Sequence, residues 1–121
     1  MTSLIGTWIL SYLVYQGNVV PPFRPQISVY YTFSSSSKNE LFYFDRDDGS
    51  HCHRIAEYRV ENDYILQQVI SVDEDNSSFC FSFTDMQMDQ QSQVKYEVQN
   101  EKLILHLKLS DEDIQYVFDR L

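Results

Sequence analysis

Leu4–Leu13 reads "LIGTWILSYL", and the fold turns on how this stretch is interpreted. From Trp8 onward, Trp8, Leu10, Tyr12 and Val14 occupy every second position and share one face. In an extended strand successive side chains point to opposite faces, so a period of two marks a half-buried strand and not a helix. The run Trp8–Tyr15 ends at Gly17-Asn18, a turn signal.

The same period recurs along the chain in short runs separated by turn residues. Ile27–Phe33 sets Ile27, Val29, Tyr31 and Phe33 against Ser28, Tyr30 and Thr32. Glu40–Asp45 is a short strand, and His51–Val60 and Tyr64–Val72 flank "ENDY", a compact hairpin signal. Ser78–Phe83 places Phe79, Phe81 and Phe83 on one face. Val94–Val98 follows, then Lys102–Leu109, where Leu103, Leu105, Leu107 and Leu109 alternate with Ile104, His106 and Lys108, and finally Ile114–Leu121. "VVPPFRP" (19–25) is too proline-rich for a central strand and forms a loop or lid. These nine candidates lie about 8–12 residues apart, and no connection is long enough for a parallel crossover. The pattern predicts an all-β chain: a single antiparallel up-and-down β-barrel of about eight to ten strands, which leaves no sheet edge exposed. A sandwich is the alternative. Closing a meander antiparallel, last strand on first, needs an even number of strands. One candidate is therefore missed or irregular, or a long bent strand serves twice.

Composition narrows the function classes. The chain has 121 residues, the size of one domain spanning 1–121. Nine Tyr, eight Phe and one Trp suit a pleated, half-buried surface. Eighteen acids against nine scattered bases give a net charge of -9. Phosphate neutralisation needs a Lys/Arg cluster, so neither nucleic acid nor an anionic membrane surface is an expected partner. No apolar run approaches the ~20 residues of a membrane span. The opening "MTSLIGTW" has neither a charged segment nor a cleavage site of the secretory kind. Two cysteines are too few for a secreted disulfide framework, and a cytoplasmic location is expected.

The opening stretch resembles the glycine-x-tryptophan motif of lipocalins and the wider calycin group, here Gly6 and Trp8. The ending "YVFDRL" is similar to the aromatic-x-aromatic-x-Arg close of small bacterial lipocalin-like domains, here Tyr116, Phe118 and Arg120. The resemblance implies a lipocalin-like barrel with Gly6, Trp8 and Arg120 at its base. There a guanidinium over the Trp face is worth ~0.5–2 kcal/mol and can cap free carbonyls. The fatty-acid-binding branch inserts a helical pair after its first strand, and "QGNVVPPFRP" is too short and proline-rich for one.

Phe44–Arg54, "FDRDDGSHCHR", is the most chemical-looking segment of the chain. Alternation puts His51 and His53 on one face and Cys52 on the other, with Cys52, Ala56, Tyr58 and Val60 continuing the apolar face. His51 and His53 then face water, Asp48-Gly49 supplies the turn, and no metal site is expected. If Phe79, Phe81 and Phe83 face inward, Cys80 faces outward while Cys52 faces inward. Both cysteines then read as reduced thiols. The same parities point Tyr12, Tyr31, Tyr58, Tyr96 and Tyr116 inward with Phe81, and give Arg54 and Gln68 as polar partners for their hydroxyls. These eight residues are the candidate lining of a ligand cavity. No catalytic residue, cofactor or metal is implied. The expected function is a non-enzymatic binding module for a small apolar or aromatic ligand. The alternative is a protein-interaction module, such as a protease inhibitor acting through loop 17–26. A buried carboxylate or His with a strongly perturbed pKa would instead mark an enzyme.

Overall fold

The computed structural model describes residues 3–121, so Met1 and Thr2 of the N-terminal reading lie outside the described residues. Nine strands follow one another: β1 (Gly6–Tyr15), β2 (Asn18–Val20), β3 (Ile27–Phe33), β4 (Lys38–Asp45), β5 (His51–Glu61), β6 (Tyr64–Val72), β7 (Gln91–Gln99), β8 (Lys102–Leu109) and β9 (Glu112–Arg120). Each pairs antiparallel with its neighbour in the sheet, and β1 also pairs with β9. β1 and β3–β9 therefore close an eight-stranded antiparallel barrel, with β2 as an extra strand beside the end of β1. The fold is all-β, as the alternation indicated.

The even count arises because Ser78–Phe83 is not a strand. Ser78–Ser82 and Thr84–Met86 are two short 3-10 turns in the connection from β6 to β7. A 3-10 turn repeats every three residues, so Cys80, Phe83 and Met86 fall on one side. Cys80 and Met86 are buried and Phe83 packs on the core, whereas Phe81 is 68% exposed. This corrects two expectations. Phe81 does not face the interior. Cys80 does, and it forms a disulfide with Cys52 of β5, with Cα atoms 5.7 Å apart. The reading of both cysteines as reduced thiols assumed strand parity in a segment that has none.

Two bulges correct the interior further. The β1–β9 register shifts between Leu10 and Tyr12, which inserts Ser11 as an extra residue. Beyond it Leu13, only 1% exposed, takes the inward position. Tyr12 turns outward, where the Lys102 ammonium lies 5.6 Å from its ring centre. On β6 the inward residues are Ile65, Gln67 and Val69, and Gln68 is exposed. Both faces of β6 carry aliphatic residues, so alternation alone does not select the buried one. The β5–β6 register also slips, with Ile55 opposite Ser71 and Ala56 opposite Val69.

The barrel is closed at one end. Trp8, Phe33, Ile65, Leu103 and Phe118 are buried and belong to one hydrophobic cluster. Arg120 lies 4.1 Å over the centre of the Trp8 ring. Its Nη1 donates to the Ile5 carbonyl at 2.9 Å and its Nη2 to that of Ser3, while Nε pairs with Glu101 at 2.9 Å. Gly6 admits this arrangement: it has φ +135, and a Cβ there would stand 2.8 Å from Arg120 Nη1. No helix among the described residues is long and apolar enough to cross a membrane.

Candidate ligand-binding site

Inside the other half of the barrel is a cavity of about 710 Å³. Its walls are aliphatic and aromatic: Leu10 and Leu13 of β1, Val29 of β3, Leu41 of β4, Leu105 of β8 and Tyr116 of β9. These positions follow from strand parity once the β1 bulge is allowed for. Pro22, Phe23 and Arg24 of the β2–β3 loop and Ser82–Asp85 of the 3-10 connection also line it. Both segments join strands at the end opposite Trp8. The Cys52–Cys80 bond ties the 3-10 connection to the barrel wall.

One side of the cavity carries a polar cluster centred on Arg54, which is 1% exposed. Its Nε donates to the Asp85 carbonyl at 3.1 Å, Nη1 to Asn39 Oδ1, and Nη2 to the Tyr31 hydroxyl at 3.2 Å. The guanidinium also lies over the Tyr31 ring, 5.4 Å from its centre. Tyr31 and Asn39 both donate to Gln67 Oε1 at 2.8 Å, and Gln67 Nε2 donates to Ser92 at 3.1 Å. A buried guanidinium is tolerated only when it is hydrogen-bonded, and here each of its three nitrogens donates to a neutral oxygen. The carboxyl whose charge reaches Arg54 is that of Asp85. Burial raises the Asp85 pKa above its ordinary value, although the hydrogen bond from Tyr43 and the charge of Arg54 pull it back. Tyr43 donates to Asp85 Oδ2 at 2.5 Å. Burial, together with the neighbouring Asp85 charge, pushes the Tyr43 pKa well above 10.

The fold divides the candidate lining. Tyr31, Arg54 and Tyr116 border the cavity. Tyr58 and Tyr96 pack against the core away from it: Tyr58 stands edge-on to Phe33, and its hydroxyl donates to the Ser34 carbonyl at 3.0 Å. Tyr12, Gln68 and Phe81 lie outside the barrel, for the reasons given above. Sequence reasoning missed Asn39, Tyr43, Gln67 and Asp85. Tyr43 had a signal, since it shares the Leu41 face within Glu40–Asp45, and Asn39 joins that face once β4 is extended back to Lys38. Gln67 is one position from the residue chosen. Asp85 sits in an irregular polar loop, where periodicity carries no information.

His51 and His53 lie on the outer surface. His53 Nδ1 meets Asp73 Oδ1 and Nε2 meets Glu40 Oε1, both at 2.8 Å. His51 Nε2 is 3.8 Å from Asp73 Oδ2. Burial alone lowers the His53 pKa, but the hydrogen bonds and charges of Asp73 and Glu40 outweigh it and hold the pKa above 6.5. No group of three or more His, Cys, Asp or Glu able to hold a metal ion is found among the described residues.

No protein-family model and no curated protein matches the chain. Solved structures do. The chain is similar to a lipocalin-like protein from Bacteroides uniformis ATCC 8492, at 16% identity and a TM-score of 0.67, over 98% of each chain. It is also similar to an uncharacterized protein from Bacteroides eggerthii DSM 20697, at 19% identity and a TM-score of 0.63, over 98% of this chain and 100% of the other. At these identities the likeness concerns the fold, and the fold is a small lipocalin-like barrel.

Proposed function

We propose that this lipocalin-like barrel is a non-enzymatic binding module that holds one small apolar or aromatic molecule in its interior. The observation that carries the reading is the cavity of about 710 Å³, walled by Leu, Val and Tyr with a polar cluster on one side. Small-molecule sites typically occupy about 300–1,000 Å³ and combine apolar walls with a few placed polar groups. A barrel of eight strands is at the size where side chains either fill the interior or leave room for one small ligand. Here Tyr58 and Phe33 fill the base, and the half nearer Asp85 stays open. The test is calorimetric titration with naphthalene. Wild-type protein should bind one equivalent, and Leu105→Trp, which fills the cavity from β8, should not. Equal binding by both would defeat the reading, as would wild-type protein that binds neither naphthalene nor any substituted naphthalene of that size.

A second reading is a protein-interaction module acting through loop 17–26. It draws on Val19 and Phe23, which are 70% and 57% exposed. The cavity favours the first reading, in which Pro22, Phe23 and Arg24 form its rim. A catalytic reading would rest on Asp85, a buried carboxyl with a raised pKa. Bound molecules recovered chemically unchanged from the protein would defeat it.

In place of a cytoplasmic location, we infer an oxidising compartment from the Cys52–Cys80 bond, since structural disulfides persist where thiols are not kept reduced.

A further inference from the structure

The binding reading above is the basis here, and the polar side of the cavity narrows the ligand. Among the described residues, one buried side-chain polar atom has no hydrogen-bond partner, Oδ1 of Asp85. Its surroundings are satisfied: Gln67 Oε1 takes two donors, and Arg54 gives three hydrogen bonds. A carboxylate accepts at about four lone-pair positions, and Tyr43 fills one of them at Oδ2. Asp85 lines the cavity on the 3-10 connection. Oδ1 is itself buried, so a ligand reaches it only if the carboxyl, whose torsion is broad, turns toward the cavity.

We propose that the cavity takes a neutral apolar or aromatic molecule bearing a hydroxyl group, a phenol or an alcohol, whose O–H donates to Asp85 Oδ1. The two buried charges select for neutrality. An ammonium head group placed at Asp85 meets the Arg54 guanidinium, which already bonds the carbonyl of that residue. A carboxylate head group meets Asp85 itself. A neutral donor escapes both penalties and satisfies an acceptor that the free protein leaves unpaired. Burial disfavours the Asp85 charge and raises its pKa, so a donor arriving at Oδ1 should stabilise the ionised carboxyl and lower that pKa.

The experiment compares four probes of one size by calorimetry at neutral pH: naphthalene, 2-naphthol, 2-naphthoate and 2-(aminomethyl)naphthalene. The expected order places 2-naphthol first, about tenfold tighter than naphthalene, with both charged probes weaker than 2-naphthol. In the double variant Asp85→Leu/Tyr43→Phe, which removes both partners of one hydrogen bond together, 2-naphthol and naphthalene should bind alike. Asp85→Asn serves as the second variant if the double variant does not fold, and there the preference should shrink. Equal binding of 2-naphthol and naphthalene by wild-type protein would overturn the proposal and leave the binding reading standing. A preference that survives in a folded Asp85 variant, or a charged probe that binds tightest, would also overturn it. Failure of all four probes would bring down the binding reading itself.

Discussion

Reducing the Cys52–Cys80 disulfide perturbs the barrel at one place and removes no side chain. The bond closes a loop spanning 28 residues between β5 and the 3-10 connection. Loop-closure entropy grows as 1.5R ln n, with a constant of about 2.1 cal/mol/K, which for this loop gives about 3.6 kcal/mol at 25 °C. At an unfolding entropy near 2.1 cal/mol/K per residue, a chain of this length should lose about 14 °C in Tm. The loss acts through the unfolded chain, and the folded barrel should persist because the bond ties a connection to β5 and does not join two strands. The assay is thermal unfolding by circular dichroism with and without a reductant, paired with thiol counting in denaturant. Untreated protein should show no reactive thiol, and reduction should bring a large fall in Tm with preserved β-sheet signal below the new midpoint. Two reactive thiols in untreated oxidised protein, or an unchanged Tm after complete reduction, would refute the reasoning.

Other predictions concern the base, the polar cluster and the outer surface. Gly6→Ala should cost about 1–3 kcal/mol by denaturant unfolding, because φ is +135 and the new Cβ would meet Arg120 Nη1 at 2.8 Å. Arg54→Met should cost about 3 kcal/mol, since it orphans Asn39 Oδ1 and the Asp85 carbonyl together; a neutral result would show that the cluster does not hold the interior. The same variant should raise the Asp85 pKa further, measurable by carboxyl carbon NMR, because it removes the Arg54 charge that pulls it down. His53 has a folded pKa above its unfolded value, so its contribution to stability is fully present below about pH 6.5 and is lost as pH rises through the folded pKa. The groups facing it are Asp73, Glu40 and, beyond Asp73, His51. His53→Gln should therefore flatten this part of the Tm-against-pH profile, and an unchanged profile would exclude His53 as its source.

Alternation made the barrel legible because it reports which residues face a common interior. Ile27–Phe33 behaves as its period says, as does Lys102–Leu109 as far as Leu107, with Leu109 at the strand end 41% exposed, and β5 buries Cys52, Arg54 and Ala56 as parity indicates. The failures have local physical causes. An extra residue at Ser11 exchanges Tyr12 for Leu13, and periodicity counted straight through a bulge cannot register it. Phe79, Phe81 and Phe83 imitate a strand, but the segment closes into 3-10 turns whose period of three buries Cys80, Phe83 and Met86 instead. On β6 the exposed face carries Leu66, Ile70 and Tyr64, so hydrophobicity gave no contrast between Gln67 and Gln68. Of the candidate site, Arg54 was visible as a charge at an inward position. Its partners were less so, because Asn39 lies where a serine-rich turn becomes strand and Asp85 lies in a loop brought over the cavity by tertiary structure alone.

The central claim is that the barrel is hollow in order to hold a small molecule. Native mass spectrometry of protein purified from its own host tests this most directly. The account predicts one small, releasable, chemically unaltered molecule per wild-type chain, absent from Leu105→Trp purified in the same way. Wild-type protein that carries no such molecule and takes up no apolar probe when offered one would contradict it.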